Sequence, residues 1–139
     1  MNIRLQRAQM VLASVFVVFL ILQIGMIIYV YSLEGIYPED VTNILLKMLI
    51  IYSVPLGIIL GGVFGKGIRS KTNAPVVAFF LALVLAIVWN ILLAWRGIAF
   101  ALTTDDSVSQ LINYLDVVAT ASTFLVAGSL SYFFSKEEK

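Results

Sequence analysis

The chain has 139 residues, 61% of them hydrophobic and 12% charged, with a mean hydropathy of +1.02 and a net charge of +1. A soluble domain carries roughly 25% charged residues, so this composition cannot cover a water-soluble globule, and the expected class is an integral membrane protein. The near-neutral balance, with no basic face and no aromatic-basic interleaving, excludes a nucleic-acid partner.

Chemistry is narrowed further by what is missing. With no cysteine and no histidine, there are no disulfides, thiolate ligands or imidazole bases. No pair of acids stands at metal-ligand spacing within an apolar segment. The expectation is therefore a protein that is not an enzyme, with no catalytic residue, cofactor or metal.

In chain order, Arg4 and Arg7 precede a run from Ala8 to Leu33 without a single charge. A signal-peptide core spans roughly 7–15 residues, and no small-x-small cleavage pattern precedes Glu34. This segment, about residues 9–31, reads as a retained first span. It is apolar nearly all round apart from Gln23.

The second span, residues 41–65, opens on Pro38, Glu39 and Asp40, acids suited to the positive end of a helix dipole. Its second half carries Gly57, Gly61 and Gly65 at every fourth position. Such a stripe lets another backbone approach closely, which favours helix association in lipid. At about 100° per residue the stripe continues through Val54 and Ile50 to Lys47, so the one charge inside the segment is expected on the packing face. Pro55 interrupts the helix and removes one backbone hydrogen bond, offering a hinge as a lesser alternative. Gly65-Lys66-Gly67 beside Arg69 and Lys71 lacks P-loop spacing and reads as a solvated turn near anionic lipid.

The third span, residues 74–96 with a possible extension to Leu102, has Thr72 or Asn73 as expected caps and Pro75 in its first turn. Ala86, Asn90 and Gly97 share one of its faces. The fourth, residues 108–134, starts at Ser107 and Gln110, which have capping-box spacing. Ser109, Asn113, Asp116, Thr120, Thr123, Ala127 and Ser131 recur at threes and fours, and this polar face is expected to turn away from lipid. Thr123, Ala127 and Ser131 are the expected partners of the glycine stripe.

The expected fold is all-α: one transmembrane domain over residues 1–139, a four-helix bundle running up-down-up-down through short loops. Arg4, Arg7, Lys66, Arg69, Lys71, Lys136 and Lys139 fall on one side. Arg96 stands on the other among Glu34, Glu39, Asp40, Asp105 and Asp106. The positive-inside rule then puts both termini in the cytoplasm of a multi-pass cell-membrane protein. Tyr29, Tyr31, Tyr37 and Trp95 mark the outer interface and Tyr132 the inner one. Trp89 lies deeper than an interfacial belt.

Ionisable groups inside a bilayer cost about 2.5–3.5 kcal/mol each on insertion scales. Lys47 and Asp116 fall at similar depth, and Asn90 and Gln23 in the same layer, forming the candidate intramembrane polar site. Three readings compete: a structural Lys47–Asp116 pair with hydrogen bonds among the amides, a Lys47 that snorkels to the headgroups while Asp116 turns to Arg96, or a site for a solute, ion or proton. The expected partners are the lipid bilayer and either further copies of the chain or another membrane protein. The function expected is an assembly, regulatory or immunity-type subunit acting through helix packing. An oligomeric channel or transporter subunit, passing a small solute or ion, is the alternative.

Overall fold

A computed structural model of the chain describes residues 2–33, 36–66, 73–102 and 107–134. Four helices dominate it: α1 (Leu5–Ser32), α2 (Pro38–Lys66), α3 (Val76–Leu102) and α4 (Val108–Phe134). Each is long and apolar enough to cross a membrane, because about 20 apolar residues in a helix match the hydrocarbon thickness. Two three-residue strands, β1 (Asn2–Arg4) and β2 (Asn73–Pro75), pair antiparallel, with Ile3 opposite Ala74. This pairing ties the start of α1 to the start of α3.

Local chemistry sets the helix starts. Pro38 begins α2 with Glu39 and Asp40 in its first turn. The α4 start is a reciprocal capping box: the Gln110 backbone N–H donates to Ser107 Oγ at 3.3 Å, and the Ser107 N–H donates to Gln110 Oε1 at 3.1 Å. At α3 the expectation changes. Asn73 is a strand residue rather than a cap, and Pro75 closes β2 instead of entering the helix. Proline's fixed φ also suits extended backbone at a strand end. Thr72 lies outside the described residues.

In the bundle, α2 packs against α4 and α1, and α3 against α1 and α4. Among the described residues the α2 and α3 backbones do not adjoin, although they are consecutive helices. Each helix presents a stripe at helical spacing to one shared hydrophobic cluster. On α1 it runs through Leu5, Ala8, Leu12, Phe16, Gln23 and Ile27, and on α3 through Ala82, Ala86, Trp89, Asn90, Leu93 and Gly97. At Gly97 a β-carbon would come within 2.6 Å of Met26 Cε, the far end of a flexible side chain that can shift aside.

The α2 face differs from the expected one. Its buried residues are Ile44, Met48, Ile51, Tyr52, Pro55 and Ile59. Gly57 and Gly61 point elsewhere, and a β-carbon added to either would have no neighbour within 4 Å. The close approach to α4 occurs one residue later. A β-carbon at Gly62 would meet Phe134 Cβ at 2.6 Å and its carbonyl oxygen at 2.9 Å. The expected seam of Gly57 and Gly61 against Thr123, Ala127 and Ser131 is therefore not the packing contact within this chain. The bulky residues set the rotation of the helix: Met48, Tyr52 and Ile59 fill the space between the helices, and in lipid such van der Waals packing, not removal of apolar area, holds helices together. The surroundings of Gly65, in the last turn of α2, lie outside the described residues.

The α4 helix is rotated for the same reason. Leu111, Leu115, Val126, Leu130 and Phe133 fill the interior. Asn113 and Thr120 face outward, while Thr123, Ala127 and Ser131 sit half-buried on its flank. The polar face expected to turn inward lies instead along the outer edge of the α2–α4 contact.

Candidate functional site

Lys47 stands nine residues past Pro38 on α2, and Asp116 eight residues past Val108 on α4. At about 1.5 Å per residue, both lie roughly 12–13 Å along their helices. Lys47 Nζ is 2.7 Å from Asp116 Oδ1. The pair bridges the two helices but is not enclosed by them, since the side chains remain 27% and 48% exposed. Around it, the outward edge of α2 carries Asn43, Ile50, Val54 and Gly57, and that of α4 carries Asn113 and Thr120.

Gln23 and Asn90 belong to a second, separate cluster. Gln23 Nε2 donates to the Tyr52 hydroxyl at 2.6 Å, and that hydroxyl donates in turn to Asn90 Oδ1. Asn90 Nδ2 donates to the Ala86 carbonyl at 2.7 Å. The relay links α1, α2 and α3 with a consistent donor direction, and its members are at most 2% exposed. Tyr52 thus bridges the diagonal between α2 and α3 that the backbones leave open. Its ring also packs edge-on to Trp89 at 5.2 Å, and Phe16 lies 5.7 Å from Trp89. Tyr52 is five residues beyond Lys47, or roughly 7 Å further along α2. The four residues expected in one layer are therefore divided between an outward ion pair and a sealed amide–phenol relay.

Two buried polar atoms have no hydrogen-bond partner among the described residues, Gln23 Oε1 and Trp89 Nε1. A third polar contact lies between the second half of α3 and the first half of α4. Arg96 stacks over the Tyr114 ring at 5.7 Å, and the Tyr114 hydroxyl donates to the Leu92 carbonyl at 3.2 Å.

Sequence reasoning missed Tyr52 and Gly62. For Tyr52 a signal existed: it falls on the apolar stripe with Met48, Pro55 and Ile59, and Gln23 and Asn90 both needed a partner on that side. Gly62 stands beside Gly61 in the sequence, and only the rotation set by the bulky residues separates them. The relay is closed to the outside, its members being at most 2% exposed. The ion pair is partly exposed, so something outside the chain can reach it. No family model, curated protein or solved structure matches the chain.

Proposed function

We propose that this is a small, non-enzymatic four-span membrane protein that acts by docking against another membrane-embedded surface along its α2–α4 face, as an assembly, regulatory or immunity-type subunit does. The observation that carries this reading is the Lys47–Asp116 pair, 27% and 48% exposed on the outward side of two helices apolar enough to span a bilayer. Lipid chains cannot solvate such a pair, so a second protein surface or water has to cover it.

The up-down-up-down course is supported by contacts between matching helix ends. The start of α1 is tied to the start of α3 through β1 and β2. Gly62, near the end of α2, meets Phe134 at the end of α4, and Gln9 near the start of α1 donates to the Phe133 carbonyl at 2.9 Å. Together with Arg4 and Arg7 at that end, these contacts favour cytoplasmic termini in a cell membrane. Lys66, Arg69, Lys71, Lys136 and Lys139 add to the same argument by sequence; their side chains lie outside the described residues.

A photo-crosslinking amino acid introduced at single positions tests the docking reading in native membranes. Ile50 and Val117 on the α2–α4 face should yield discrete protein adducts, whereas Val18 on α1 and Leu81 on α3 should yield none. Absence of adducts at Ile50 and Val117 overturns the reading. The outward polar edge of Asn113, Asp116 and Thr120 favours a second reading, a conduit formed between several copies. That reading requires solute or ion flux in proteoliposomes that Asp116→Asn alters.

A further inference from the structure

We infer that the surface covering the α2–α4 face is a second copy of this chain, related by a two-fold axis along the membrane normal, with Lys47 of each copy against Asp116 of the other. The inference rests on the docking reading above and specifies its partner. Charge complementarity carries it. The face already presents one cation and one anion at a single depth, 2.7 Å apart and both partly open. A two-fold axis along the normal preserves depth and reverses direction across the face, so the copy offers an anion opposite each cation. A different protein would have to supply both signs at the same spacing and depth. The chain's own surface does so by symmetry.

Shape agrees with charge. Below Lys47 on the outward side of α2, Gly57 and Gly61 have no atom of their own chain near the position a β-carbon would take. They leave room for a backbone from outside, the close approach that lipid-embedded helices use to associate. Asn113 and Thr120 stand on the outward edge of α4, able to hydrogen-bond across the two-fold axis. The stripe read from the sequence as a packing face is then a contact between chains.

Adjacent glycines separate the dimer from the fold. A β-carbon at position 61 has no neighbour within 4 Å, so Gly61→Leu should keep the wild-type thermal midpoint in mild detergent and lose self-association by at least about tenfold. Self-association is read by energy transfer between two labelled copies in membranes and by co-purification of two differently tagged copies. Gly62→Leu, which collides with Phe134, should instead lower the thermal midpoint.

Charge exchange gives the second arm. Lys47→Asp alone sets two acids against two acids across the axis and Asp116→Lys alone two lysines against two lysines, so neither should self-associate. Co-expressed, the two variants should associate with each other, two acids meeting two lysines. A monomeric wild type, a Gly61→Leu protein that still self-associates, or a mixture of charge variants that gains nothing would each overturn the inference. If the crosslinker at Ile50 captures a different membrane protein and no second copy, the two-fold dimer fails and the docking function stands. If it captures nothing, both fail.

Discussion

Tyr52 holds more of the interior together than either of the amides it joins. Its hydroxyl accepts from Gln23 and donates to Asn90, so a single oxygen satisfies two groups that have no water to turn to. Tyr52→Phe keeps the ring against Trp89 and Phe16 but orphans Gln23 Nε2 and Asn90 Oδ1, each at a desolvation cost of about 1–3 kcal/mol. Gln23→Leu behaves differently. It leaves the Tyr52-to-Asn90 bond intact and removes an amide whose Oε1 has no partner, so its effect should stay within about 1 kcal/mol. Unfolding in mixed micelles, followed by near-ultraviolet circular dichroism, ranks the two. Equal losses would mean that the relay is not organised around the phenol.

At the scale of the element, bulk decides which face of a helix turns inward. On α2 the buried residues Met48, Tyr52, Pro55 and Ile59 follow helical spacing, and Leu60 and Gly61 are turned out beside them. Ile59→Ala should therefore cost about 2–5 kcal/mol, and Leu60→Ala little, in the same unfolding measurement. A reversed order would mean that the helix is rotated. At the α4 start, Ser107→Ala removes the hydroxyl that receives the Gln110 N–H and should cost about 0.5–2 kcal/mol.

The same physics explains what could be read from the sequence. Four apolar runs, the acids opening α2 and the Ser107–Gln110 box are local signals, and each helix lies close to the limits they imply. Lys47 and Asp116 are visible because each is the lone charge deep in its segment. Rotation was not legible, because it depends on which of several apolar stripes finds a complementary neighbour. The glycine spacing on α2 and the polar spacing on α4 are real periodicities, yet the chain buries neither fully. A sequence shows that a face is special without showing whether the same molecule or another one covers it. The β1–β2 pair was equally hidden, since three-residue strands carry no periodicity of their own.

For the whole molecule, the centre is filled rather than hollow. Phe16, Tyr52 and Trp89 meet there, each at most 2% exposed, so a path for a solute through one bundle would have to displace three aromatic rings. In the docking reading proposed above, the working contact lies on the outside of the bundle, so its depth depends on how the bundle stands in the membrane. The chain has no cysteine, so a single introduced thiol reports its own side. Tyr37, 79% exposed just before α2, should react as Tyr37→Cys with a membrane-impermeant maleimide in intact cells. Asn73, in the strand paired to the N-terminal one, should react as Asn73→Cys only after the membrane is permeabilised. The expected order follows from the cationic end of the bundle, where Arg4 is paired with Asn73 across the two strands. Labelling of Asn73→Cys but not Tyr37→Cys in intact cells would invert the protein. Lys47 and Asp116 would then lie nearer the cytoplasmic leaflet, and their partner would have to be sought at that depth.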